Sequence, residues 1–244
     1  MEWSLVNAGR SILNYCLRLR QHALPPLCLL CHAPAARSNL CLACRDELPY
    51  LPGERCPRCA VPSFGGEVCG ACLAHPPRFD RVLAACEYAF PLDRLIQRFK
   101  FSGHLAAAPL LAELMRTTIE REAAEVDVIV AMPLSEQRLR ERGFNQSLEL
   151  ARLLSHDFAI PLSTQGCVRV RHSQAQSDLP LAERIRNVRG AFVCVQDFSG
   201  RSVAVVDDVL TTGATLDEVA SVLHRAGAVR VEGWVVARTP ASRS

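Results

Sequence analysis

The chain has 244 residues, 49% of them hydrophobic, which suits one large domain or a medium domain with a small companion. Its formal charge of +3 counts every cysteine as neutral. Each zinc ion held by four thiolates carries a formal −2, so two such sites turn +3 into −1, and global charge gives no support to nucleic-acid binding. No apolar run reaches the roughly 18 residues of a membrane span, and the start lacks the pattern of an export signal. A reducing, cytoplasmic setting is therefore expected, with thiols or thiolate–metal bonds in place of disulfides.

Residues 1–27 carry Leu5, Ile12, Leu13, Cys16 and Leu17 at amphipathic spacing, interrupted by Arg10, Arg18 and Arg20. This predicts a short helix, ended by Pro25 and Pro26, that packs on its own domain rather than on a membrane.

Residues 28–78 hold eight of the 12 cysteines and few large apolar residues. Cys28, Cys31, Cys41 and Cys44 read C-x2-C-x9-C-x2-C, and Cys56, Cys59, Cys69 and Cys72 repeat that spacing. Each C-x2-C turn presents two thiolates, and a second turn completes a tetrahedron around zinc. Ligands are assigned quartet by quartet, although a cross-braced arrangement mixing the two satisfies the same spacing. Four thiolates leave no open coordination position, so both zinc ions are expected to be structural, stapling a segment too poor in apolar mass to fold alone. Cys16, Cys86, Cys167 and Cys194 fall outside the pattern and read as small buried hydrophobes.

Residues 79–244 alternate between strand-like and helix-like patterns. Lys100, the only lysine of the chain, is placed on a helix with Leu95, Ile96 and Phe99, where its ammonium is a candidate to meet a phosphate. Val126–Pro133 reads as a buried strand, followed by a loop, LSEQRLRERGFNQ, in which Arg138, Arg140 and Arg142 can neutralise a diphosphate. Asn145–Phe158 reads as a helix, Ser202–Val209 as a second buried strand, Ala214–Gly227 as a helix capped by Gly227, and Val229–Thr239 as a closing strand. Continuous apolar strands alternating with helices predict an α/β domain with a mostly parallel sheet covered on both faces.

The most specific stretch is VAVVDDVLTTGAT, Val203–Thr215. Ligands of open α/β sheets bind at the carboxyl ends of strands. Thr211, Thr212, Gly213, Ala214 and Thr215 form a loop of small residues entering a helix, which lets backbone N–H groups close on a phosphate. Asp207 and Asp208 would repel that phosphate but suit the vicinal hydroxyls of a ribose, which are donors to a carboxylate. A ribose 5-phosphate satisfies both halves.

This stretch resembles the phosphoribosyl-diphosphate signature of type I phosphoribosyltransferases. The resemblance implies that Asp207 and Asp208 hold the ribose hydroxyls and that Thr211–Thr215 bind the 5-phosphate, with the diphosphate loop after the Val126–Pro133 strand. The double cysteine ribbon, Phe79–His104, RLRERGFNQS (Arg138–Ser147), Arg169–Phe192 and the Val203 motif occur in an order that resembles the ComF/GntX family, associated with competence and DNA uptake. From this follow a type I phosphoribosyltransferase-like domain over 79–244 and a double zinc ribbon over 28–78. Asp207, Asp208, Thr211–Thr215, Arg140, Arg142 and Lys100 are the residues expected to take Mg²⁺ and phosphoribosyl diphosphate.

By the same resemblance Arg169–Arg189 is a mobile loop, with Gln174, Gln176, Arg184 and Asn187 as contacts on closure. The sequence stops soon after the WVVART strand, so the base-selecting hood of such enzymes is expected either from the zinc region and the helix after it or from no part of the chain. Two readings of function stand: phosphoribosyl transfer to a nitrogen acceptor in DNA uptake, or a non-catalytic nucleotide- or single-stranded-DNA-binding competence factor working with the DNA-uptake machinery.

Overall fold

The computed structural model describes residues 26–35, 39–101, 103–122, 124–170 and 188–240. The amphipathic segment expected over 1–27 lies almost wholly outside them. So do Gln174, Gln176, Arg184 and Asn187. The chain forms two compact units, Met1–Glu47 and Leu48–Ser244.

In the first unit, helix α1 (Leu42–Asp46) starts directly after Cys41, which sits at its N-cap. The Cys28–Cys31 turn closes through hydrogen bonds from His32 N to Cys28 O and from Cys28 N to Ala33 O.

The second unit takes in the second cysteine quartet together with the α/β domain. Motifs divide the sequence at 78/79, whereas compactness divides it at 47/48. The reason is visible in the backbone: Leu51 N donates to Ala85 O, Glu87 N donates to Pro49 O, and Tyr50 bridges Cys86, so the segment before Cys56 is fastened to the first strand. Helix α2 (Gly70–Ala74) follows the third cysteine of this quartet, as α1 does in the first.

The sheet contains β1 (Arg81–Glu87), β2 (Val128–Ala131), β3 (Leu162–Ser163), β6 (Ser202–Leu210) and β7 (Arg230–Arg238) in the order β1-β7-β6-β2-β3, with every pairing parallel. Strands β4 (Cys167–Arg169) and β5 (Phe192–Cys194) form a separate antiparallel pair. The helices of this unit are α3 (Leu92–Phe101), α4 (Ala108–Arg121), α5 (Glu136–Arg142), α6 (Gln146–Phe158) and α7 (Ala214–Arg225). Helices α4 and α6 pack on each other and on the sheet. Helix α7 packs on β7 and β5, and its Leu216, Val219, Ala220 and Leu223 share a core with Val203 and Val205. Buried strands alternate their side chains between faces with a period of two, which is why β1, β2, β6 and β7 are almost continuously apolar.

The connections fix the site. From β2 the chain runs through α6 outward to β3, while from β6 it runs through α7 in the opposite direction to β7. The order therefore reverses between β2 and β6, and the carboxyl ends of these two strands form the crevice where open α/β sheets bind ligands. Register deepens it: β2 pairs with Val203–Val206 only, whereas β6 continues beside β7 as far as Leu210. Among the described residues, Asp207–Leu210 consequently lack a strand neighbour on the β2 side.

The expected loop after β2 is partly helical, and its sequence explains this. Ser135 accepts from Arg138 N and caps α5, and Gly143 ends it in the left-handed region at φ 76°. Among the described residues a side chain there meets nothing within 4 Å, so the glycine answers a backbone requirement and not crowding. Asn145 then caps α6: its Oδ1 accepts from Ser147 N at 3.0 Å and Leu148 N at 3.4 Å, while Nδ2 donates to Met132 O at 3.1 Å. One asparagine thus starts the helix and ties it to the end of β2.

Candidate ligand crevice and cysteine clusters

The two acids at the end of β6 point to different partners. Asp207 Oδ1 accepts from Ser147 Oγ at 2.8 Å and from Asp208 N at 2.9 Å. Asp208 is 3% exposed, and the Lys100 ammonium lies 2.9 Å from its Oδ2. Burial pushes the Asp207 carboxyl up to about 7, the Asp208 charge adds to this, and Lys100 and Ser147 oppose it. Lys100 is thus placed against a carboxylate, where sequence reasoning aimed it at a phosphate.

Beside Asp207, an indentation is lined by Met132, Val209, Thr211, Gly213 and Thr215. Gly213 takes φ 82° at the N-cap of α7. Thr212 Oγ1 accepts from Ala214 N at 3.3 Å and Gly213 O accepts from Asp217 N at 2.8 Å, while the N–H groups of Thr212, Gly213 and Thr215 have no acceptor among the described residues. Unpaired amides at the start of a helix are suited to an anion.

The arginines separate. Arg142 is half-buried, its guanidinium lies 5.0 Å over the Phe101 ring, and one terminal nitrogen has no hydrogen-bond partner among the described residues. Burial and the nearby Arg138 charge lower its pKa, while the Asp208 and Asp207 charges raise it. Burial, with Arg138 again, also lowers the pKa of Arg169 on β4. Arg138 thus acts electrostatically on both Arg142 and Arg169, and the Arg169 guanidinium lies 5.4 Å over the Phe192 ring. Arg140 is exposed and lies 3.6 Å from Glu136 one turn earlier, so it is not brought to the acids.

Ser147 and Arg238 were not singled out from the sequence. Ser147 lies inside the quoted RGFNQS segment, and its position in the first turn of a helix after β2 was the available signal. Arg238 is an isolated charge closing an apolar strand.

Each cysteine quartet converges within itself, with all four sulfurs within 4.8 Å of one another, which settles the pairing against a cross-braced arrangement. Cys31 and Cys41 Sγ are 3.6 Å apart, and Cys59 and Cys69 Sγ 3.7 Å. Sulfurs placed tetrahedrally about 2.3 Å from a zinc ion are about 3.8 Å apart, so both quartets fit zinc. Burial works against ionising Cys28 and Cys56, yet backbone N–H groups around each turn bring them down to about 6 and about 7. Of the remaining cysteines, Cys86 and Cys167 are buried as expected and Cys16 lies outside the described residues. Cys194 is only partly buried and sits directly across from Cys167.

Residues 19–73 match a double zinc ribbon domain, and residues 145–244 match a phosphoribosyl transferase domain. The DNA utilization protein YhgH of Salmonella typhimurium is 34% identical over 223 residues, 88% of this chain and 98% of that protein. Competence protein F of Haemophilus influenzae is 33% identical over 213 residues, 83% of this chain and 92% of that protein.

The chain belongs to the ComF/GntX family.

Its ComF/GntX membership accounts for the pairing of two four-cysteine clusters with a phosphoribosyltransferase-type sheet in one polypeptide. Among solved structures, the glutamine phosphoribosylpyrophosphate amidotransferase of B. subtilis is 23% identical with a TM-score of 0.35, covering 50% of this ComF/GntX chain and 24% of that enzyme. No helix among the described residues is long and apolar enough to cross a membrane.

Proposed function

We propose that this protein binds phosphoribosyl diphosphate in the crevice between β2 and β6 and transfers its phosphoribosyl group to a nitrogen acceptor, in a cytoplasmic role in DNA uptake. One observation carries the reading: a carboxylate held by Ser147 faces a loop whose amides at Thr212, Gly213 and Thr215 are unpaired among the described residues, both at the switch point of the sheet. The DNA-related role is taken from the relatives, named for DNA utilization and for competence.

The chain's own groups divide the work. Asp207 accepts the ribose hydroxyls, with Ser147 fixing its orientation. Amides and hydroxyls of Thr211–Thr215 hold the 5-phosphate. Asp208 carries the Lys100 charge into the site, which offsets repulsion between the acids and an anionic ligand. When the bond from C1 to the diphosphate breaks, positive charge develops on the sugar beside Asp207, and negative charge on the leaving group is met by Arg142, supported by Arg138 and Arg169. The hard carboxylate oxygens of Asp207 and Asp208 suit Mg²⁺, which would supply charge neutralisation for the departing diphosphate. Asp207 Oδ2 has no partner among the described residues and is the oxygen open to Mg²⁺ or to the ribose. The two four-cysteine clusters hold zinc as structural staples.

Incubation with Mg²⁺, phosphoribosyl diphosphate and a panel of bases tests the reading by diphosphate release. Turnover that disappears in Asp207→Asn supports transfer. Salt-sensitive binding of single-stranded DNA with no diphosphate released supports the binding-factor reading and refutes the enzyme.

A further inference from the structure

Arg238 closes β7 and is 8% exposed. A buried guanidinium gives up its hydration and needs other partners in return, and among the described residues no carboxylate is paired with it. Its donors go to main-chain carbonyls of separate segments. Nε donates to Cys59 O at 3.0 Å, and the two N–H groups of Nη1 are shared among Leu210 O at 3.2 Å, Thr211 O, Thr239 O at 2.8 Å and Thr239 Oγ1 at 3.0 Å. A single side chain therefore joins a metal-ligating turn of the second cysteine cluster to the first residues of the candidate phosphate loop.

The consequence follows from peptide geometry. A carbonyl and the N–H of the next residue share one rigid trans plane and point in opposite directions. Holding the carbonyls of Leu210 and Thr211 against Arg238 aims the N–H groups of Thr211 and Thr212 away from it, toward the loop's open side. At the other end, Cys59 O belongs to a turn closed by Ala60 N donating to Cys56 O at 3.0 Å and Cys56 N donating to Val61 O at 2.8 Å, with Ala60 at φ 60°. Metal bound to Cys56 and Cys59 holds that turn, and with it the carbonyl that Arg238 grips.

We propose that Arg238 is a positioning residue that couples metal occupancy of the Cys56–Cys72 cluster to the orientation of the Thr211–Thr215 amides. On this view the second zinc ion organises the ligand loop as well as stapling its own segment. By linkage, order in the loop strengthens metal retention. The proposal rests on the Thr211–Thr215 loop being the anion cradle, but its test uses no sugar phosphate.

The full-length, zinc-loaded chain is compared with Arg238→Lys, which keeps the charge and loses the fork, with Cys69→Ser in the second cluster, and with Cys41→Ser in the first. Backbone ¹⁵N relaxation reads the order parameters of Thr212 and Gly213. The expected result is a fall from about 0.85 to below about 0.6 in Arg238→Lys and Cys69→Ser, with β2 amides and Cys41→Ser at parental values. Zinc transfer from the second cluster to a colorimetric chelator is expected to be about 10-fold faster in Arg238→Lys, in keeping with one lost charged hydrogen bond, with the first cluster unchanged. Parental order parameters or a parental zinc-release rate in Arg238→Lys overturn the coupling, and so does a loss of order spread through β2. A chain that passes but does not bind phosphoribosyl diphosphate keeps the coupling and refutes the ligand reading alone.

Discussion

Lys100 Nζ lies 2.9 Å from Asp208 Oδ2, joining α3 to the end of β6 through a pair of which the carboxylate side is 4% exposed. Removing one partner of a buried pair leaves the other charged and unpaired, which costs far more than the pair is worth. Lys100→Met is therefore expected to lower stability by about 3 kcal/mol in urea unfolding, and Lys100→Met with Asp208→Asn to recover most of it. Parental stability with weakened binding of phosphoribosyl diphosphate instead places the lysine on the ligand.

Asp207 gives two pH dependences of opposite sign. Its folded pKa, about 7, lies above that of an unfolded aspartate, near about 3.9. Its contribution to stability is fully present below about pH 4 and is lost as pH rises through about 7. A ribose diol is bound by the ionised carboxylate, so affinity for phosphoribosyl diphosphate is expected to rise through the same window. Isothermal titration between about pH 5.5 and about pH 8.5 measures this, with Asp207→Asn removing the step. Ser147→Ala deletes a donor that favours the ionised form and should move the step up by about 1 pH unit.

Two glycines separate fold from site. At Gly213, φ is 82° and the nearest atoms to an added Cβ are Phe79 ring carbons at 3.5 and 3.6 Å, so Gly213→Ala suffers mainly from the left-handed backbone, about 1 kcal/mol. Its amide belongs to the ligand loop, so phosphate affinity should fall as well. At Gly227, φ is 94° and an added Cβ comes 2.7 and 2.9 Å from Ser199 backbone atoms. Gly227→Ala should cost more stability, about 2–4 kcal/mol, and leave the affinity of the folded protein unchanged. Denaturant unfolding and calorimetry on both variants check the contrast.

Much of the sheet was legible because buried parallel strands are runs of apolar residues. VIVA of β2, VAVV of β6 and WVVA of β7 all stand where periodicity put them, with ends shifted by a residue or two. The zinc clusters were legible because C-x2-C spacing is chemistry written locally. Helix α5 was missed because charged residues between a proline and a glycine look like a loop, although Ser135 and Gly143 are its two caps. What spacing does not carry is which segments meet. Lys100 and Asp208 are far apart in sequence, and nothing near Arg238 marks Cys59 and Thr211 as its partners. The identical quartets also read as twins, yet the second belongs to the compact unit of the sheet and the first does not.

Metal content offers a separate check. Two zinc ions per chain are expected by elemental analysis, one in Cys41→Ser and one in Cys69→Ser. Chelation of both should destabilise the ribbons, since structural zinc contributes folding free energy directly.

Titration calorimetry of phosphoribosyl diphosphate with Mg²⁺ at about pH 8, above the Asp207 pKa, reaches the central claim most directly. One site per chain is expected, with affinity lowered at least about 10-fold in Asp207→Ala. A parental protein that gives no heat, or an Asp207→Ala, Asp208→Ala double variant that binds as tightly as the parent, contradicts it.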